Sequence, residues 1–290
     1  MHENSTLSNE ARTAKRLSSL LLDVSAAARR CLPRDESIDT DSSRLIALYT
    51  DAQSENAEVH VAQSLRYAKR SFLSACDHTR AFAILLRHSE PPGPSLVTLA
   101  RGAFEAAARS AWLIGAGPLD EHLHRFLSIR WDDLKFASRF ESSVEGPEGN
   151  ALDPNDLRAE FESERLRLEL PKLTSTSNSK LVQEFLDTAI PFQDARKNYS
   201  VYSAVAHGEL AALDSLVPNG DDDPDASFQV PVPALTSLAW GQALAILELG
   251  YRLSRWIGGS GVPTDRLDGA KVRLAAALDT LPPEATAPSL

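Results

Sequence analysis

The sequence predicts an all-α protein, a single-domain bundle of about eight or nine helices, and two observations carry that prediction. Apolar residues recur three and four apart along nearly the whole chain, the period of a helix with one face on a core. No run alternates with the period of two that a half-buried strand requires. The gaps between periodic runs carry helix-stopping residues, at Pro33, at the PPGP of Pro91 to Pro94, at the GAGP of Gly115 to Pro118 and at Pro191. At 290 residues and 43% hydrophobic the chain can bury a sizeable core. Residues 1–10 and 281–290 are expected as flexible tails on a bundle spanning 11–280.

Taken in order, Leu17, Leu20, Leu21, Val24 and Ala28 share one face of a first helix, and the polar PRDESIDTDSS connects it onward. From Arg44 to His88 the pattern predicts one long scaffold helix. Val61, Leu65, Ala68, Phe72, Ala75, Thr79, Phe82 and Leu86 keep close to a seven-residue repeat there, with Asp77, His78 and Arg80 beside the seam. Ser95 to Ile114 is rich in Gly and Ala, which lets neighbouring helices come close, so this helix is expected at the centre. Leu119 to about Phe140 follows, carrying Leu123, Phe126, Leu127, Leu134 and Ala137. Asp153 and Pro154 read as the cap and first residue of a helix bearing Leu157, Phe161 and Leu168, whose other faces are densely charged. PKLTSTSNS reads as a flexible link to a short helix of Leu181, Val182, Phe185 and Leu186. The helices from Ala234 to Ile257 and from Thr264 to Leu278 complete the set.

Thirty basic residues against forty acidic ones give a net charge of −10, which opposes non-specific nucleic-acid binding unless the basic residues gather on one face. Cys31 and Cys76 are far apart and outside any CxxC spacing, so neither a disulfide framework nor a structural zinc site is expected, and a reducing cytoplasm fits. The N-terminus lacks a basic-then-apolar signal pattern. The uncharged run from Ala226 to Leu247 is interrupted by Gln229, Pro231, Pro233 and Gln242, so it reads as a loop and a core helix rather than a membrane span. His122 and His124, two apart, point in different directions on a helix and cannot share a metal. Asp132 and Asp133 superficially resemble the aspartate-rich helix of class I terpene synthases, but nothing later supplies the second half of a magnesium site, so they read as a solvated acidic face. The NGDDDPD of Asn219 to Asp225 lacks the EF-hand register. No cofactor and no metal are expected.

The stretch that concentrates chemistry is Asn198 to Leu213, through which a helical stripe of Phe192, Ala195, Tyr199, Tyr202, Ala206, Leu210 and Leu213 runs from just upstream. Tyr199, Ser203 and His207 stack four apart beside it and could form one hydrogen-bonding ladder. Gly208 suggests a close approach by backbone or ligand. On the Gly/Ala-rich helix, Arg101, Glu105 and Arg109 interrupt an otherwise apolar surface of Val97, Ala100, Phe104, Ala108 and Trp112. A pair of ionised groups and a hydroxyl-imidazole ladder are each costly to bury alone, but facing one another they satisfy their donors and acceptors. His207 is therefore expected within hydrogen-bonding reach of Glu105, directly or through one water, with Arg101 or Tyr202 completing the network. The alternatives, a surface bridge of Arg101 with Glu105 and a core histidine, stay open.

CDHTRAFAILLR at Cys76 to Arg87, LVTLARGAFEAAARSAWLIG at Leu96 to Gly115 and YSVYSAVAHG at Tyr199 to Gly208 carry a resemblance. Together they resemble a group of uncharacterised actinobacterial helical proteins, themselves similar to the HEPN-like and AbiV-like helical superfamily. The resemblance implies a bundle in which an R-x-x-x-E helix, with Arg101 and Glu105, packs on a Y-x-x-x-S-x-x-x-H helix, with Tyr199, Ser203 and His207. Three functional expectations follow. One is a defence- or toxin-associated protein that cuts or binds RNA, with His207, Glu105 and Arg101 as the catalytic group, His207 as general acid or base and Arg101 on a phosphate charge. Another is a small-molecule enzyme or binder whose pocket is lined by Trp112, Tyr202 and Phe104, with Tyr199, Tyr202, Ser203 and Trp112 as substrate-binding residues. The third is a regulatory interaction module with a structural histidine, and a homodimer is compatible with each.

Overall fold

The computed structural model describes residues 9–32, 44–88, 93–139, 143–145, 151–190, 195–216, 230–258 and 264–278. Among them stand eleven α-helices and one two-stranded ribbon. The loop of Asn219 to Asp225, Phe192, the connector after Pro33, residues 1–8 and the C-terminal tail lie outside the described residues, while Asn9 and Glu10, expected within the N-terminal tail, form the first turn of α1. The helix number exceeds the expectation by two for one physical reason: two continuous helical patterns are each interrupted by a residue in the left-handed region. Asn56, at φ 51°, divides the expected scaffold helix into α2 (Arg44–Ser54) and α3 (Glu58–Leu85). Asparagine tolerates that conformation better than most side chains. The carbonyls freed at the break are satisfied from elsewhere, since the Arg167 guanidinium donates to the Glu55 and Asn56 carbonyls at 2.7 and 3.3 Å. Gly208, at φ +72°, makes the second break, described below.

The scaffold seam is buried as expected: Val61, Ala68, Phe72, Ala75, Thr79 and Phe82 are all fully buried. That seam packs on α4 (Gly93–Ile114), where the Ser110 hydroxyl donates to the Ala68 carbonyl at 3.0 Å. Helix α4 is the axis of the bundle, touching α3, α5 (Leu119–Arg139), α7 (Asn178–Ala189), α8 (Ala195–Ala206) and α10 (Val232–Gly258). Its small residues permit this: Ala100, Ala107 and Ala108 are fully buried, and a Cβ on Gly241 of α10 would stand 3.0 Å from the Phe104 ring. Ala107→Leu should therefore overpack the axis and cost about 1 to 3 kcal/mol, read as a lower urea midpoint at unchanged m. A variant as stable as the parent would remove α4 from the centre.

Helix α1 (Asn9–Cys31) lies across α3 and α10, and α11 (Asp265–Leu278) closes that side, with Leu267 3.2 Å from a Cβ placed on Gly250. Helix α10 is long and apolar enough to cross a membrane by length and composition, but 72% of its most apolar window is buried in the bundle. It is a core helix, as its interrupted sequence predicts.

The α4–α5 turn is tied by ionic contacts. Arg44 of α2 donates to the Ala116 and Gly117 carbonyls at 2.5 and 2.7 Å, and Glu121 accepts from the Gly117 N–H and pairs with Arg125. His122 turns into the core, fully buried, with Nε2 2.7 Å from the Ser64 hydroxyl, while His124 turns outward to the Lys172 carbonyl at 3.1 Å. The two imidazoles do point apart.

Val144–Glu145 (β1) pairs antiparallel with Ala151–Leu152 (β2) before α6 (Pro154–Arg167), whose cap is Asp153 accepting from the Asn155 N–H. Helix α6 is peripheral. It is held on α5 by Arg158 4.2 Å over the Trp131 ring and by Arg130 5.9 Å from the Phe161 ring. The segment after it is not a loose link: Leu170 and Leu173 are buried, Thr174 N–H donates to the Ser128 hydroxyl, and the Ser175 hydroxyl donates to Asp132 at 2.7 Å. Two isolated buried leucines hold this strap to the core while its hydrogen bonds tie it to α5, too few apolar positions to register as a period.

Candidate functional site

Three side chains of α4, one turn apart, start the site. Arg101 donates from Nε to Glu105 Oε1 at 2.7 Å, and Arg109 follows four residues on. Each would be expensive to hold on a half-buried face without partners. The partners come from α3, α5, α7 and α8. Tyr199, nearly fully buried on α8, donates its hydroxyl to Glu105 Oε1 at 2.7 Å. Asn178, at the start of α7 beside its cap Ser177, donates from Nδ2 to Glu105 Oε2 at 3.3 Å and accepts from Arg109 Nε at 3.1 Å. Arg109 Nη1 reaches the Tyr67 hydroxyl of α3 at 3.2 Å and Asp133 of α5 at 3.3 Å. The result is one connected polar row along α4, with both Glu105 oxygens engaged.

The far end of the row is His207. Its Nε2 lies 3.3 Å from Arg101 Nη1, an arginine N–H donating to an unprotonated ring nitrogen. The direct or single-water contact expected between His207 and Glu105 is not among the contacts of the described residues: the ring meets Arg101, one of the two residues expected beside it, and Arg101 pairs with Glu105. The other, Tyr202, is turned into the core, 3% exposed and stacked on Phe104 at 6.0 Å, and it is Tyr199 that reaches the carboxylate. Burial raises both phenols, and acceptance by Glu105 adds to the effect at Tyr199, whose pKa is pushed up to about 12. Tyr199 stays a donor at any physiological pH.

Three further expectations are corrected. Helix α8 ends at Ala206, so His207 is not a core histidine but an exposed residue just past the helix. Ser203 joins it through the backbone, His207 N–H to the Ser203 carbonyl at 3.0 Å, rather than through a side-chain ladder. Gly208 is not a point of close approach, since a Cβ there would meet nothing within 4 Å. Its left-handed backbone closes the helix, with Gly208 N–H donating to the Val205 carbonyl and Glu209 N–H to the Ala204 carbonyl, both at 3.0 Å. A short helix, α9 (Leu210–Asp214), follows. Phe104 and Tyr202, expected to line a pocket with Trp112, are both buried and stacked on one another. Trp112 faces α5 instead, under the Arg125 guanidinium at 5.1 Å, on a cleft of about 20 Å³ shared with Arg109, Ser128 and Thr174. Such a volume holds about one water.

Asp132 and Asp133 are not a bare solvated face either, being bound by Ser175 and Arg109. Among the described residues no group of three or more His, Cys, Asp or Glu side chains is arranged to hold a metal ion. Arg109 could be read from its spacing to Glu105; Asn178 and Tyr67 could not, because an asparagine beside a cap and a tyrosine beside a seam carry no spacing signal of their own. Comparison with protein families, curated proteins and solved structures returns no match. Function has to be argued from this chain's own residues.

Proposed function

We propose that this chain is a HEPN-like helical protein that binds and cuts RNA in a defence or toxin role, with Arg101 and His207 at its working site and Glu105 behind them. The observation that carries the proposal is the contact of a guanidinium, fixed through Nε by Glu105, with the imidazole of an exposed residue. Arginine presents a fork of donors matched to phosphate oxygens, and a guanidinium already oriented loses little freedom on binding one. A phosphodiester drawn to Arg101 replaces the imidazole as its acceptor and leaves the His207 ring beside the bound oxygens, placed for proton transfer. Tyr199 and Asn178 hold the carboxylate that holds the arginine.

The test is binding and cleavage of a labelled single-stranded oligoribonucleotide at low salt. Arg101→Ala and His207→Ala should each lower kcat/KM by roughly 100-fold or more. Because His207 is exposed past the end of α8, His207→Ala should change stability by no more than about 0.5 kcal/mol in a urea melt. A large stability loss with unchanged RNA handling would instead support a regulatory module in which the histidine is structural.

A further inference from the structure

The outer face of α3 carries a cleft that the Arg101–His207 site does not use. Its volume is about 430 Å³ and it is lined by Arg70, Leu73, Ser74, Asp77 and His78, a size that suits a small molecule. Arg70, Ser74 and His78 stand four apart, so a guanidinium, a hydroxyl and an imidazole follow one another turn over turn along one side of the helix. Among the described residues none of the three is engaged by a hydrogen bond or an ion pair. The half-buried His78 ring is fixed from behind: its Cε1, Nε2 and Nδ1 lie 2.9, 3.0 and 3.1 Å from where a Cβ on Gly102 of α4 would stand, space that any side chain there would claim. Such near-equal separations of three ring atoms mean that the ring presents its face to the glycine. Its N–H bonds and lone pairs lie in the ring plane, so they are left for other partners.

Charge favours an anion. Asp77, the carboxylate of the lining, already pairs with Arg29 of α1 at 2.7 Å, which leaves the Arg70 charge uncompensated and the cleft net positive on a chain of net charge −10. Ser74 stands midway in the row, about 6 Å along the helix axis from each of the other two. A phosphate over Ser74 is within reach of an extended arginine arm one turn before it and of an imidazole one turn after, whose side chain inclines back toward the N-terminus. We infer that this cleft binds a small soluble phosphomonoester, independently of the RNA function proposed above. The Arg70 guanidinium takes two phosphate oxygens as a fork, Ser74 and His78 donate to the remaining acceptor positions, and the organic group of the ester lies along the half-buried Leu73.

The experiment is calorimetric titration of the full chain with inorganic phosphate and with phenyl phosphate, for the parent, Arg70→Ala, Ser74→Ala, Gly102→Ala and Asp77→Asn, with each variant's thermal melt recorded beside it. Benzenesulfonate, an oligoribonucleotide without terminal phosphates and phosphatidylcholine vesicles carrying phosphatidic acid are the comparison ligands. The parent should bind phenyl phosphate with a Kd of about 1 mM or below, and inorganic phosphate more weakly. Arg70→Ala should weaken phenyl phosphate by roughly 10-fold or more and Ser74→Ala by about 3-fold, with melts near the parent's because both side chains are exposed. Gly102→Ala displaces the ring without touching the ligand and should weaken binding by about 5-fold. Asp77→Asn removes the opposing charge and releases Arg29, so it should tighten binding by about the same factor. Equal binding by the parent and Arg70→Ala overturns the site, as does an absence of binding at about 10 mM ligand, or benzenesulfonate bound as well as phenyl phosphate. Vesicles bound more tightly than phenyl phosphate, and released by Arg70→Ala, assign the row to a membrane surface; an oligoribonucleotide released by the same substitution assigns it to the RNA path. Either result overturns the small-molecule site, whereas loss of phenyl phosphate with RNA handling unchanged supports it.

Discussion

Between pH 7 and pH 5 the protein should lose about 2 kcal/mol of stability, and His122→Gln should remove most of that loss. His122 is fully buried between α3, α4 and α10, with Ser64 on one side and the Trp256 ring 5.7 Å away. Burial pushes its pKa down to about 4; the Leu113 carbonyl works in the opposite direction, and the Arg125 and Arg44 charges reinforce the fall. The unfolded chain takes up a proton near the ordinary histidine value of about 6.5, while the folded chain does not until about pH 4. The folded state is therefore penalised increasingly as pH falls through that window, reaching about 3 kcal/mol at its lower end. Carboxylates held low in the fold, Glu164 by Arg167 and Glu121 by the Gly117 N–H, contribute their own losses only below their ordinary range. The window above it isolates the histidine. Urea midpoints of parent and His122→Gln at the two pH values decide the matter, and an equal fall in both would assign the acid sensitivity elsewhere.

What the sequence made legible was the buried side of each helix. The α3 seam and the Ala-rich axis of α4 could be read because a buried helical face must be apolar at every turn, and that constraint repeats often enough to show. The breaks at Pro and Gly clusters could be read for the same reason in reverse. A single asparagine at position 56 and a single glycine at 208 were harder, since each changes one backbone angle inside an otherwise unbroken period. That one glycine decides the character of the candidate site: by stopping α8 at Ala206 it moves His207 from a core face to the surface. The exchange of Tyr202 for Tyr199 has a different origin. Both stand on one stripe, three residues apart, and periodicity shows that each faces inward without showing which one meets a carboxylate. That choice depends on where α8 crosses α4, a tertiary fact. The Arg101–Glu105 pair was legible because charge on a helix this apolar must be compensated.

The same compensation makes Glu105 a sensitive polar position, since its two oxygens accept from three side chains. Glu105→Ala should cost about 2 to 3 kcal/mol, or roughly 4 to 8 °C of melting temperature, and should abolish RNA handling with it. The carboxylate is acceptor to Arg101, Tyr199 and Asn178 at once, and its removal leaves a nearly buried phenol, an amide and a guanidinium without their partner. The figure is kept below that of a fully buried ion pair because about a fifth of the Arg101 and Glu105 side chains remains in contact with solvent. Glu105→Gln retains one acceptor oxygen but presents an amide where a second donor expects an acceptor, so it should cost about half as much. A double-mutant cycle of Glu105→Ala with Tyr199→Phe separates the terms: the two groups share a hydrogen bond, so the combined loss should fall short of the sum by about 1 kcal/mol. If Glu105→Ala melts within about 1 °C of the parent, the row along α4 does not tie α7 and α8 to the axis, and Arg101 loses the support that would orient it toward a phosphate.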